Sequence, residues 1–164
     1  MGADVRFYIE KYNKKEKTWE YAGAYDKKGE IVPLTYVRAH NYMPYIEDLC
    51  LTDGINKPYT DVCEEIFEKF RDHFDEDRKE YDGIYAEGAV TLAELDRAAL
   101  RTPEVDNDYA DDDEWTEQPD GTWKAPKMEN PLRELYRRAA QVAGMMNYWV
   151  FDDREFRLVY FCDN

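Results

Sequence analysis

Asn147-Tyr148-Trp149-Val150-Phe151-Asp152-Asp153-Arg154-Glu155-Phe156-Arg157-Leu158-Val159-Tyr160-Phe161-Cys162-Asp163-Asn164 is the stretch whose reading decides the fold. It reads as a strand, a turn at Asp152-Asp153-Arg154, and a second strand. Alternation of period two puts Phe156, Leu158, Tyr160 and Cys162 on one face of the second strand and Arg157, Val159 and Phe161 on the other. Both faces are largely apolar. Such a strand needs cover above and below, so it belongs in the middle of a sheet.

Working outward, the chain opens with a second alternating segment, Asp4 to Tyr12, in which Val5, Phe7 and Ile9 alternate with Arg6, Tyr8 and Glu10. That pattern predicts a strand with one clearly buried face. The polar run Asn13 to Lys17 turns it back into a strand carrying Trp19 and Tyr21, an antiparallel hairpin. Asp26-Lys27-Lys28-Gly29 is a further turn. Pro33 makes Ile31 to Val37 an edge or loop segment rather than a central strand.

The period then changes. Tyr42, Ile46, Leu49 and Cys50 have helical spacing, with Pro44 at a tolerated first-turn position. Thr60 is placed to cap the strongest helical pattern, Asp61 to about Lys79, whose seam is Val62, Cys63, Ile66, Phe67, Phe70 and Phe74. Burying each of its three Phe side chains would contribute roughly 1.5–3 kcal/mol. Thr91-Leu92-Ala93-Glu94 is a capping box that opens a helix to about Leu100, stopped by Thr102-Pro103. Asn130-Pro131 starts a last helix with an apolar stripe of Leu132, Leu135, Tyr136, Ala139, Val142 and Ala143, and Gly144 is the expected stop. The fold class expected is α+β: one domain over residues 1–164, a mainly antiparallel sheet built from terminal hairpins and covered by three to four helices.

Between the last two helices lies an acidic insertion at about 104–124. Glu104 to Asp120 carries nine carboxylates and no Lys or Arg, most of the net charge of −15. Trp115 and Trp123 flank Pro119-Asp120-Gly121, which suggests a small hairpin with facing indoles. So acidic a chain repels a phosphate backbone and an anionic membrane face, which disfavours direct binding to nucleic acid or membrane and favours basic partners. Aromatic residues make up 15% of the chain, enough to specify a folded body and also to suit a buried homodimer interface. Cys50, Cys63 and Cys162 are odd in number and contain no CxxC pair, so reduced thiols in a cytoplasmic protein are expected. Met1-Gly2-Ala3-Asp4 has no basic start, no apolar run approaches a membrane span, and neither a secretory leader nor an anchor is expected.

Chemistry is bounded by what is missing. The chain has no serine, which removes serine-nucleophile mechanisms. Each Cys lies on an apolar stripe, which suits a buried thiol better than a nucleophile paired with His40 or His73. No phosphate-binding glycine loop and no zinc spacing is present, and no cofactor is expected. Asp106, Asp108, Asp111, Asp112, Asp113 and Glu114 have the hard oxygen ligands that Ca²⁺ or Mg²⁺ prefers, but not the glycine and spacing of an EF-hand. The same run suits a solvated loop, or a surface that imitates a nucleic-acid backbone. Arg38-Ala39-His40-Asn41-Tyr42 groups polar side chains ahead of a helix, where they serve as a ligand cluster or as helix caps.

Several short blocks resemble a family of small proteins of unknown function from tailed phages and prophages. Its members open Met-Gly-Cys-Asp-Ile-His, where this chain has Met1-Gly2-Ala3-Asp4-Val5-Arg6. His40-Asn41-Tyr42, Val90-Thr91-Leu92-Ala93-Glu94-Leu95 and Arg157-Leu158-Val159-Tyr160-Phe161-Cys162-Asp163-Asn164 are similar to later family blocks, in the same order. The family's early Cys and His, and a later His, are replaced here by Ala3, Arg6 and the His-free Ile84 to Ala89. The resemblance implies a mobile-element origin and a bacterial host cytoplasm. Two functions are then expected. One is an anti-CRISPR-like inhibitor whose acidic face binds a basic, nucleic-acid-binding defence effector of the host. Its contact residues would be Asp106, Asp108, Tyr109, Asp111, Asp112, Asp113, Glu114, Trp115 and Trp123. The other is a small metal-dependent hydrolase or nucleotide-binding protein around Asp4, His40 and Glu94.

Overall fold

The alternation at the end of the chain produces a strand, β9 (Phe156–Asp163), at the centre of an antiparallel sheet. A computed structural model describes residues 4–38, 61–71, 86–146 and 150–163. Along one edge, β9 pairs with β1 (Asp4–Asn13) from Asp4↔Asp163 to Lys11↔Phe156; along the other it pairs with β4 (Ala86–Thr91). The far edge of β1 is shared. Its first half pairs with β3 (Thr35–Arg38) and its second half with β2 (Thr18–Tyr21).

The expected arm before the closing turn is only partly described, and residues 150–152 are not a strand. The turn itself forms: Glu155 N–H donates to the Asp152 carbonyl (3.0 Å), and the Asp152 carboxylate accepts from the Arg154 backbone (2.9 Å) and guanidinium. That guanidinium holds the Asp152 carboxyl down at about 2. Instead β9 has β1 and β4 as its two neighbours. Sequence-distant pairing thus replaces a terminal hairpin.

Both faces of β9 are buried, as its composition requires. Phe156, Leu158 and Tyr160 join Val5, Phe7 and Ile9 of β1 beneath two helices, α2 (Leu92–Arg101) and α3 (Pro131–Met146). Val159 and Phe161 join Tyr8 on the opposite face beneath a short helix, α1 (Glu64–Lys69). β1 therefore buries two faces, not one, because β9 lies beside it and both inherit the same cover. Where β4 crosses Tyr160, a Cβ on Gly88 would lie 2.2 Å from the phenol oxygen, so only glycine fits without displacing a buried ring.

The helix starts follow local chemistry. Thr91 and Glu94 exchange the reciprocal bonds of a capping box at the start of α2, and the Asn130 side chain accepts Leu132 N–H (3.0 Å) at the start of α3. Gly144 does not stop α3; it is buried inside the helix, which continues to Met146. Nor does α1 begin at Asp61. Its N-cap is Cys63, because Asp61 and the Cys63 amide are both engaged by the sheet. Of its expected seam, Cys63, Ile66 and Phe70 are buried, whereas Phe67 is 40% exposed. The proposed helix from Tyr42, the cap Thr60, Phe74 and the rest of the pattern to Lys79 lie outside the described residues.

After β2 the chain folds around one phenol. The Tyr21 hydroxyl lies 2.7 Å from the Ala24 carbonyl and 2.8 Å from the Val32 carbonyl, and burial pushes its pKa up to about 12. A free tyrosine ionises near pH 10. Between the two values the folded state keeps a proton that the unfolded state loses, so stability is complete below about pH 10 and falls as pH rises toward 12. Spectrophotometric titration of the tyrosines is expected to lose the amplitude of one phenol near pH 12 when Tyr21 is replaced by Phe.

Candidate interaction surface

The acidic insertion is an ordered arm of two small ladders. Its base pairs β5 (Glu104–Asp106) with β8 (Lys127–Glu129); its tip pairs β6 (Thr116–Glu117) with β7 (Trp123–Lys124). Two small buried side chains, Val105 and Ala125, seat the base. Asn130 ties it to the body through bonds to Pro103 and Thr102 carbonyls. With so little apolar content to bury, the arm is held mainly by backbone bonds.

That construction leaves its charge in water. All nine carboxylates between residues 104 and 120 are exposed. Asp111 and Glu114 cap a single 3-10 turn (Asp112–Glu114), which sets four consecutive carboxylates on one bend. Asp106 pairs with Lys127 at 2.6 Å, and the bond from the ammonium holds its carboxyl below the usual range. The Thr122 hydroxyl does the same to Asp120. Glu104, Asp108, Asp112, Asp113 and Glu117 complete the exposed set.

The aromatic residues of the arm divide into two kinds. Tyr109 and Trp123 are 67% and 58% exposed. Trp115 is half-buried, and its indole N–H donates to the Ala110 carbonyl (3.2 Å), which pins the acidic bend rather than offering a contact. The indoles do not face each other, since Trp123 lies opposite Glu117 in the tip ladder and Trp115 precedes it.

Of the residues of the enzymatic reading, Asp4 and Glu94 lie far apart. Glu10, Arg157 and Thr91 lie on one line across the sheet, whereas Asp4 pairs with Asp163 six positions further along β1. At about 3.3 Å per residue, Asp4 is roughly 20 Å from the Thr91 end of the sheet, where Glu94 sits. One Glu94 carboxylate oxygen is spent on the capping box, and the other is buried without a hydrogen-bond partner among the described residues. His40 lies outside the described residues, as does His73. Among the described residues no three His, Cys, Asp or Glu side chains are grouped to hold a metal ion, and no helix is long and apolar enough to cross a membrane.

A second polar group was not foreseen from the alternation. Glu10 is fully buried, and both of its oxygens are used: one accepts from Arg157 Nε (2.6 Å), the other from Cys63 N–H (2.7 Å). The Arg157 guanidinium lies 4.1 Å from the Trp19 ring centre and reaches Asp61, at the carboxylate (3.2 Å) and at the carbonyl (3.4 Å). Burial, reinforced by the Glu10 charge, pushes the Cys63 thiol far up, so this sulfur is a packing group and not a nucleophile. The Arg at position 157 in an otherwise apolar strand was the available signal; its partner's place was not.

Comparison with protein-family models, with curated proteins and with solved structures finds no match to this chain.

Proposed function

We propose that the protein is an inhibitor of a host defence system, of phage or prophage origin and anti-CRISPR-like in action, that occupies a basic nucleic-acid channel with its acidic arm. One observation carries the reading: nine carboxylates, all exposed, are mounted on a folded arm beside exposed Tyr109 and Trp123. A charged chain held in place loses less entropy on docking than a mobile tail, and electrostatic complementarity steers its approach. The exposed rings supply the apolar anchor that charge alone lacks. The resemblance of the terminal blocks to phage proteins supports the setting.

Binding to a panel of nucleic-acid-binding defence effectors, measured from about 0.1 M to about 0.5 M salt, tests it. A true partner is expected to lose at least about tenfold in affinity over that range, and a similar amount when Asp111, Asp112 and Asp113 become Asn together. Nucleic acid is expected to compete. A complex indifferent to salt, to the triple substitution and to competitor would overturn the reading.

A further inference from the structure

One buried residue holds both ends of the acidic arm. Asn130 is 2% exposed, and its backbone and side-chain polar groups are all engaged. The backbone N–H donates to the Pro103 carbonyl (3.0 Å), and the side-chain amide donates to the Thr102 carbonyl (2.8 Å), 28 positions earlier. The side-chain oxygen accepts Leu132 N–H and the carbonyl accepts Arg133 N–H (2.9 Å), so the same residue also starts α3. The chain thus leaves the helices and returns to them at a single clamp.

Beyond this neck the arm is bonded within itself. Asn107 N–H donates to the Pro126 carbonyl (2.8 Å), Gln118 N–H to the Thr122 carbonyl (2.7 Å), and Lys127 pairs with Asp106. Val105 and Ala125, the buried side chains of its base, belong to neither apolar core of the body. The ion pairs from Glu129 to Arg133 and Arg137 on α3 are exposed, a class that adds little stability. Nine carboxylates with no Lys or Arg among them repel one another, which weakens the arm more than the body.

We propose that the arm is a cooperative unit of its own, clamped at its neck by Asn130, that opens while the sheet and helices stay folded. The Asn130 side chain divides the work: its oxygen caps α3 and its nitrogen closes the neck. Thr102 is exposed, so water takes over its carbonyl when the neck opens. The clamp acts whatever the arm docks on, so its failure and that of the docking reading are separate results.

Native-state hydrogen exchange on the full chain tests this through the amides of Asn107 and Gln118 in the arm and of Leu135 and Ala139 in α3. Relative to intrinsic rates, the arm amides are expected to exchange at least about tenfold faster, through an opening with a weaker denaturant dependence than global unfolding. Asn130→Ser and Asn130→Asp each keep an N-cap acceptor and lose the amide donor. Both are expected to speed the arm amides at least about fivefold, the effect of one hydrogen bond, and the α3 amides follow because global unfolding breaks the same bond. Ile9→Val trims the core beneath α2 and α3, and it is expected to speed the α3 amides about fivefold while leaving those of the arm unchanged. Arm amides as slow as those of α3, or accelerated with them by Ile9→Val, would show that arm and body open only together and would overturn the proposal. Arm amides unmoved by both Asn130 variants would show that the bond to Thr102 does not close the neck, and would overturn it too.

Discussion

Arg157→Met is expected to lower the unfolding free energy by about 3–5 kcal/mol, the penalty for breaking a buried ion pair from one side. Methionine fills much of the same volume, so the loss is electrostatic. Glu10 is fully buried, and without the guanidinium it keeps a single amide donor, from Cys63. The paired variant Glu10→Gln/Arg157→Met removes both charges and is expected to recover more than half of the loss, because a neutral amide still accepts the Cys63 N–H. Denaturant midpoints with unchanged slope are the measurement. If the double variant is no more stable than Arg157→Met, the guanidinium matters for its packing on Trp19 and its bonds to Asp61 rather than for its charge.

Phe161→Ala is expected to cost a comparable amount, about 3–5 kcal/mol, for the deletion of a buried aromatic ring. Phe161 stacks on Phe70 at 4.1 Å between ring centres, and Tyr8 meets both rings edge-on, at 6.4 Å and 5.2 Å. Removing the central ring leaves the other two without their shared partner, and near-ultraviolet circular dichroism is expected to weaken with the stability. The upper end of the range applies if the site stays rigid.

The parts of this fold that were legible in the sequence are those specified within a few residues. Period-two alternation gave β9 and both of its faces, Thr91 with Glu94 gave the start of α2, and Asn130-Pro131 gave the start of α3. What escaped depends on partners far along the chain. Glu10 follows Ile9 in an alternating strand, and local pattern assigns such a residue to the solvent side. Only the register Glu10↔Arg157 turns it into a core residue. The late start of α1 has the same origin, since Asp61 and Cys63 are diverted by side chains from β9 and β1. In the arm, composition identifies the exposed acidic run, but the spacing of the indoles suggests facing partners whereas one of them is a local pin.

The registry of β1 with β9 has a kinetic corollary. Residues separated by 147 positions are hydrogen-bonded at the heart of the sheet, so a nascent chain cannot zip its middle ladder until the β9 segment has emerged from the ribosome. Until then β1 has its early hairpin with β2 on one flank and an open, apolar flank on the other, the condition in which a chain is most apt to be captured by a chaperone or by another copy of itself.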